Sequence, residues 1–284
     1  MNIISIITAA AITAVAALTT ATAMNDNNNA TTQNELSDVR VLMHTTEGDV
    51  TLLLYGDTPA HTRNFVRLAS EGFYDGLLFH RVINEFMVQG GDPDSRNAEA
   101  AKMLGGGDLD YKIDAEFVYP RHFHKRGALA AAREGDMVNP AKQSSASQFY
   151  IVTGKTFTPE QIDQLNARRL MEQKKAIFNS LAAEQRDTIM AMRRSRDQAG
   201  LQALQDELVK ITEQRAAEAP DTLTAEQRQA YTTVGGAPHL DGSYTVYGEV
   251  IDGMDTIDRI QKVETDANDR PVADVRIISM EILQ

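Results

Sequence analysis

Hydrophobic and polar positions alternate in several short stretches in the first half of the chain. Residues 38–55 carry Val and Leu on either side of a Glu-Gly-Asp turn at 47–49, a pattern that predicts a β-hairpin. Thr58 and Pro59 then supply a cap and a first helical position, and Gly72 ends this predicted helix. Further strands are predicted where short apolar runs contain β-branched and aromatic residues: 77–83, 86–89, 128–132 and 147–153.

The pattern changes abruptly at Lys155. A capping box at Thr158 to Gln161 opens a long run without glycine that is rich in Ala, Gln, Glu, Arg and Leu. Gly200 interrupts this run, and apolar residues then recur at helical spacing: Leu201, Leu204, Leu208 and Ile211. A second capping box at Thr224 to Gln227 opens a short helix. We interpret residues 155–235 as an inserted helical hairpin.

Strand patterns return after the insertion. Residues 244–250 and 275–283 predict two strands, and residues 254–261 predict a helix between them. Neither β-rich part of the chain looks complete as a domain by itself. The sequence therefore predicts one mainly β domain over residues 38–284, interrupted by the helical insertion at about 155–235.

The N-terminal segment has the pattern of a targeting signal. Residues 1–20 are apolar and almost uncharged, and Ala21-Thr22-Ala23 supplies the small residues that signal peptidase recognises. We expect a signal peptide at 1–23, followed by a flexible tether at 24–37 that is rich in Asn and Thr. The apolar run is short for a membrane span. We therefore expect an exported protein, periplasmic or secreted and without a stable membrane span after cleavage; an N-terminal anchor is the alternative.

Composition and charge exclude several classes of function. The 284 residues include 40 acidic and 28 basic side chains, and a net charge of −12 argues against a nucleic-acid partner. The chain has no Cys, which excludes disulfides, thiolate metal sites and cysteine nucleophiles. The glycines at 105–107 lack the Lys of a phosphate loop, and His122 and His124 have no third metal ligand nearby. We therefore predict neither a cofactor nor a metal.

One segment stands apart from these patterns. Residues 79–92 bring an arginine, a phenylalanine, a methionine and a glutamine together around a turn at Asn84 and Glu85. Two strands meeting at that turn place a guanidinium beside an apolar floor. Pattern alone also allows an ordinary edge hairpin with a solvent-facing arginine, because exposed arginines are common.

Residues 79–92 resemble the signature of the cyclophilin-type peptidyl-prolyl isomerases. Later blocks match the same family in order: 127–132, 147–151, 240–242 and 247–250. The resemblance covers residues 39–282 except for the insertion. It implies a closed eight-stranded antiparallel barrel capped by two helices, with the site on the outer face of the barrel.

The resemblance also implies the roles of individual residues. Arg81 is the catalytic group and Gln89 holds it in place. The proline pocket is lined by Phe86, Met87 and Leu240, with Tyr150 at its floor; the substrate chain is bound by Gln148, the backbone near Ala132 and Arg133, and Tyr244. Four positions differ from the family's usual residue: Arg133 replaces Asn, Tyr150 replaces Phe, His239 replaces Trp and Tyr244 replaces His. We expect the last two to affect cyclosporin affinity and rate rather than reaction type.

These features predict an enzyme that rotates X–Pro peptide bonds in proline-containing peptides and in unfolded or partly folded proteins. No bond breaks in this reaction, so neither a nucleophile nor a cofactor is required. Two alternatives remain: a non-catalytic proline-motif binding module or chaperone on the same fold, and a structural protein that dimerises through its helical hairpin. A binding module needs the pocket but not Arg81.

Overall fold

The computed structural model describes residues 36–100 and 102–283. The predicted signal peptide and most of the predicted tether therefore lie outside the described residues. Within the described ranges, no helix is long and apolar enough to cross a membrane.

Ten strands lie in the described ranges, and eight of them form one antiparallel sheet. The strands are β1 Val39–Thr45, β2 Gly48–Leu54, β3 Arg81–Ile83, β4 Met87–Gly90, β5 Lys112–Ile113, β6 Ala128–Ala131, β7 Ser144–Ser145, β8 Phe149–Val152, β9 Val246–Asp252 and β10 Ile277–Leu283. The large sheet has the order β10-β1-β2-β9-β6-β8-β4-β3, while β5 and β7 pair separately. The insertion therefore separates β8 from β9 in sequence, although both strands flank β6 in the sheet.

The main core follows from alternation along the strands. Val41 and Met43 of β1 and Val50 and Leu52 of β2 point into the core and are fully buried, while their neighbours are partly exposed. Two helices pack against this core: α1, Pro59–Ser70, and α6, Met254–Ile260. Pro59 occupies the first turn of α1 as predicted, but the Thr58 hydroxyl donates to the Tyr55 carbonyl at 3.2 Å and does not cap the helix.

The prediction of a closed barrel is wrong, because the sheet is an open half-barrel. Within the described ranges, its edge strands β3 and β10 share no ladder. Strand β3 is only three residues long. The segment that precedes β3 is joined by individual hydrogen bonds to β10 and to the residues just before β10. The Gly76 amide donates to the Ile277 carbonyl at 2.7 Å, and the Phe79 amide donates to the Val275 carbonyl at 2.9 Å.

The insertion contains four helices, two of which form the predicted hairpin. They are α2 Pro159–Glu184, α3 Arg186–Ser195, α4 Gln198–Glu218 and α5 Ala225–Thr233. Both capping boxes form, at Thr158 and at Thr224. The break before α4 lies at Arg196, which has a left-handed φ of 57°, whereas Gly200 lies within the first turn of α4. The prediction that Gly200 interrupts the helical run is therefore wrong.

The base of the insertion packs on the sheet domain. Ile162 of α2 and Tyr231 of α5 are fully buried against Phe123 and Leu223. Arg169 joins the same base by an ion pair to Asp221 at 2.6 Å. The distal parts of α2 and α4, with α3, extend beyond this base, and we call residues 178–209 the distal arm.

Candidate active site

The face of the sheet opposite the main core carries a second apolar cluster. Side chains alternate along β8, so Phe149 and Ile151 lie in the main core while Tyr150 and Val152 lie in this cluster. A cavity of about 370 Å³ opens beside it. Nine of the ten predicted site residues line the cavity: Arg81, Phe86, Met87, Gln89, Ala132, Arg133, Tyr150, Leu240 and Tyr244.

Arg81 stands at the wall of the cavity, on the edge strand β3. Its side chain is 43% exposed, and its Nε lies 3.6 Å from Oδ2 of Asp269. The loop carrying Asp269 is attached to β3, because the Val82 amide donates to the Asp269 carbonyl at 2.8 Å. The guanidinium is therefore half-exposed, next to a carboxylate that the sequence did not single out.

The resemblance implied that Gln89 holds Arg81, and in the described ranges no hydrogen bond joins the two side chains. The two residues lie opposite each other in the β3–β4 register. However, the Gln89 amide Nε2 donates to Oε1 of Gln148 at 2.9 Å. Gln148 in turn donates to the carbonyls of Gly105, at 3.1 Å, and Gly107, at 2.5 Å. The pair of glutamines thus fixes the glycine loop, and Gln148 lines a neighbouring recess of about 240 Å³ rather than the main cavity.

The backbone near the cavity is only partly available to a ligand. The Ala132 amide donates to the Gln148 carbonyl at 3.0 Å, and the Ala132 carbonyl accepts from the Ser145 amide at 2.8 Å. Ala132 therefore contributes its side chain to the cavity wall, while its backbone groups are used by the fold. In the described part of the chain, the backbone N–H and C=O of Arg133 have no hydrogen-bond partner.

The side chains of two unusual residues pack together at the rim. The Arg133 guanidinium lies over the Tyr244 ring, with its central carbon 4.4 Å from the ring centroid. Its Nε donates to the Ser243 carbonyl at 2.9 Å, and its Nη1 pairs with Asp136 at 2.7 Å. These positions are far apart in the sequence, and the fold brings them together into one rim.

The floor of the cavity is apolar except for one buried hydroxyl, that of Tyr150. Met87 and Tyr150 are almost fully buried, and Phe86 and Leu240 pack against them. The Tyr150 hydroxyl lies 3.0 Å from Nε2 of His124, which answers the need of a buried phenol for a partner. Burial raises the pKa of Tyr150 well above its usual value, so the phenol remains protonated.

Sequence reasoning missed the wall opposite Leu240. This wall consists of residues from two irregular loops together with the residue before Arg81: His80, Lys102, Met103, Leu104, Gly105, Asp266, Asn268 and Arg270. Buried Arg270 joins the two loops by donating to the carbonyls of Glu99, at 2.9 Å, and Lys102, at 3.0 Å. Irregular loops have no hydrophobic period, so no sequence pattern predicts this contact.

His80 is a buried imidazole at the edge of this wall. It is 3% exposed, and neither ring nitrogen has a hydrogen-bond partner in the described ranges. Burial lowers the pKa of His80 from 6.5 to about 4, against the opposing effect of the nearby Asp92 carboxylate. The imidazole is therefore neutral at pH 7.

This burial predicts a pH dependence of stability. Between pH 6.5 and 4 the unfolded chain takes up a proton that folded His80 does not, so stability falls as pH falls through this window. At the acid end of this window, proton uptake by His80 in the unfolded chain lowers the free energy of unfolding by on the order of 2–3 kcal/mol. We expect His80→Gln to flatten the wild-type slope in urea unfolding measured from pH 7 to 4.5. Parallel curves for the two proteins would contradict the assignment.

Comparison with known proteins is consistent with this geometry. A family model described as "Cyclophilin type peptidyl-prolyl cis-trans isomerase/CLD" matches residues 40–216 and 210–282. A relative from Staphylococcus haemolyticus, provisionally named a peptidyl-prolyl cis-trans isomerase, is 29% identical over 87% of this chain and 92% of its own length. A Staphylococcus aureus protein with the same provisional name is 30% identical over 86% of this chain and 92% of its own length.

A solved structure shows the same fold. The cyclophilin-type peptidyl-prolyl cis-trans isomerase of Cryptosporidium parvum is similar with a TM-score of 0.50 and 19% identity. The similarity covers 87% of this chain and 98% of the other. The sheet order, the cavity on its outer face and the match over residues 40–282 lead to one assignment. The chain belongs to the cyclophilin-type peptidyl-prolyl cis-trans isomerases.

Proposed function

We propose that this isomerase binds the proline ring of its substrate in the 370 Å³ cavity and that Arg81 is its catalytic group. One observation carries the proposal: a half-exposed guanidinium stands at the wall of a cavity whose floor is apolar. The pocket residues Phe86, Met87 and Leu240 contact the ring, and the Tyr150 ring closes the floor.

Arg81 lowers the rotational barrier by weakening amide resonance. Rotation about a peptide C–N bond costs about 18–20 kcal/mol because that bond has partial double-bond character. In the twisted state, the prolyl nitrogen recovers a lone pair that can accept a hydrogen bond. A guanidinium suits this step because it remains protonated in proteins and its donors are fixed in a plane. A preorganised donor of this kind contributes about 2.7–4 kcal/mol.

The substrate backbone is held beside the cavity by Arg133. Its free N–H and C=O form the hydrogen-bonding pair that an extended peptide needs. The Arg133 guanidinium packs on the aromatic ring of Tyr244 at the rim. Gln148 supports this site through the glycine loop at 105–107.

We also propose that unfolded or partly folded proteins are substrates and that the distal arm binds them. The arm has a groove of about 480 Å³ lined by apolar residues of its three helices: Phe178, Ile189, Leu201 and Leu204. Four arginines and one aspartate lie within residues 186–196, in a chain of net charge −12. An apolar client segment flanked by acidic residues complements both features.

Shortening the distal arm should reduce catalysis on protein clients and leave catalysis on short peptides unchanged. Replacing residues 178–209 by a short Gly/Ser linker leaves the Lys174–Glu213 pair, at 2.6 Å, and the whole of α5 in place. We expect unchanged turnover of an Ala-Pro tetrapeptide and a several-fold loss of catalysed refolding of a protein limited by proline isomerisation. Unchanged refolding catalysis would contradict the client-binding role of the arm.

Export remains a proposal supported by the N-terminal residues alone. The apolar run at 1–20 and the following Ala-Thr-Ala suit cleavage before Met24. Mass spectrometry of the protein from the producing cell should find Met24 at its N-terminus outside the cytoplasm. An intact N-terminus in the membrane fraction would favour the anchored alternative.

A further inference from the structure

A single buried carboxylate joins the insertion to the sheet domain. The Asp241 side chain is fully buried directly after Leu240 of the cavity wall. Its Oδ1 accepts from the His124 backbone amide at 2.9 Å and lies 3.1 Å from Nδ1 of the His124 ring. Its Oδ2 accepts from the Tyr231 hydroxyl at 2.7 Å and from Nε2 of Gln227 at 3.2 Å. Two of these four donors belong to α5 of the insertion.

The same network reaches the floor of the cavity. Because a carboxylate oxygen accepts, Nδ1 of His124 is the donor in its contact with Asp241, and Nε2 is assigned as the acceptor of the ring. The Tyr150 hydroxyl, 3.0 Å away, then donates to Nε2. The orientation of the Tyr150 hydroxyl is thereby tied to Asp241, and Asp241 is tied to α5.

One side chain near the start of α5, that of Gln227, both caps the helix and bonds to Asp241. Gln227 is the third residue of α5 and closes its capping box, since its Oε1 accepts from the Thr224 amide at 2.9 Å. Its Nε2 is left to donate to Asp241. Tyr231 lies one helical turn later on the same face, fully buried. The position of α5 therefore determines where both donors meet the carboxylate.

We infer that α5 is a positioning element of the proline pocket: Tyr231 and Gln227, acting through Asp241 and His124, hold Leu240 and Tyr150 in place. These α5 residues do not line the cavity and are positioning residues, not catalytic ones. The inference rests on the proposed proline pocket. It assigns the insertion two separable parts, a base that shapes the pocket and a distal arm that binds clients.

The test removes one hydroxyl from each end of the network in the full chain. Tyr231→Phe and Tyr150→Phe should each lower kcat/KM on an Ala-Pro peptide by roughly three- to tenfold, the effect of one hydrogen bond. Because both hydroxyls act through His124 and Asp241, the double variant should lose much less than the product of the two single losses. Tyr74→Phe is the matched control, since its buried hydroxyl donates to the Ser147 carbonyl at 3.4 Å and neither bonds to Asp241 nor lines the cavity. That control should remain within twofold of wild type.

Three results would overturn the inference. They are multiplicative losses in the double variant, an equal loss in Tyr74→Phe, and a Tyr231→Phe protein that melts earlier yet keeps wild-type kcat and KM. The Kd of the peptide is measured by NMR titration for the same proteins. If wild-type protein binds the peptide without turning it over, the proposed catalysis is refuted. The effect of the variants on Kd then still tests whether α5 positions the pocket. If Tyr231→Phe does not fold, Gln227→Met removes the other α5 donor and takes its place.

Discussion

Replacing Arg81 by Ala should reduce kcat/KM on an Ala-Pro peptide by about 10²–10³-fold, the effect of removing one preorganised donor from a transition state. The melting curve should hardly change, because the side chain is 43% exposed and its pairing with Asp269 is long. Arg81→Lys should rescue little, since an ammonium lacks the planar donors of a guanidinium. A protease-coupled assay measures all three proteins.

The matched control is Arg67→Ala. Arg67 is 47% exposed and pairs with Glu71, the residue after α1, at 3.1 Å, so it matches Arg81 in exposure but does not line the cavity. Its replacement should leave kcat/KM at the wild-type value. A folded Arg81→Ala protein with near wild-type turnover would remove Arg81 from the mechanism, whatever the control shows.

Replacing Asp241 by Ala should destabilise the protein by about 3–5 kcal/mol, because a buried donor that loses its acceptor costs about 1–3 kcal/mol. Four donors converge on this carboxylate, and all four lose their acceptor inside the protein. The loss should be seen as a lower urea midpoint with a similar slope, because the folded state keeps its compactness.

A surface aspartate provides the comparison for this experiment. Asp255 is 79% exposed and pairs with Arg259 on α6. Asp255→Ala should move the urea midpoint very little, since exposed pairs are solvated and screened. Equal midpoints for Asp241→Ala and Asp255→Ala would show that the buried network does not stabilise the fold.

The strands and helix starts could be predicted because they depend on local patterns. The alternation in β1 and β2 appears in the structure as alternate burial, and both capping boxes form where the Thr-x-x-Gln spacing placed them. Closure of the barrel could not be predicted from such patterns. It depends on pairing between β3 and β10, which are almost two hundred residues apart, and β3 is too short to form that ladder.

The site was predicted where residues sit in ordered motifs and missed where loops supply them. Arg81, Met87 and Tyr150 lie on strands whose order brings them to one face. Arg270 and Asp269 come from an irregular loop, and only the folded chain brings that loop to the cavity. The sequence pattern raised His124 only as a metal ligand without a third partner, whereas the folded chain buries it fully, with Asp241 and Tyr150 beside its two ring nitrogens.

NMR exchange spectroscopy on an Ala-Pro peptide with catalytic amounts of the full chain tests the central claim most directly. Uncatalysed X–Pro exchange takes tens to hundreds of seconds and produces no cross-peaks on the experimental timescale. The proposed mechanism predicts cis–trans cross-peaks with the wild-type protein and their loss with Arg81→Ala, while peptide still perturbs the signals of cavity residues such as Met87. Wild-type protein that binds the peptide in the cavity without producing cross-peaks would contradict catalysis and identify a proline-binding module.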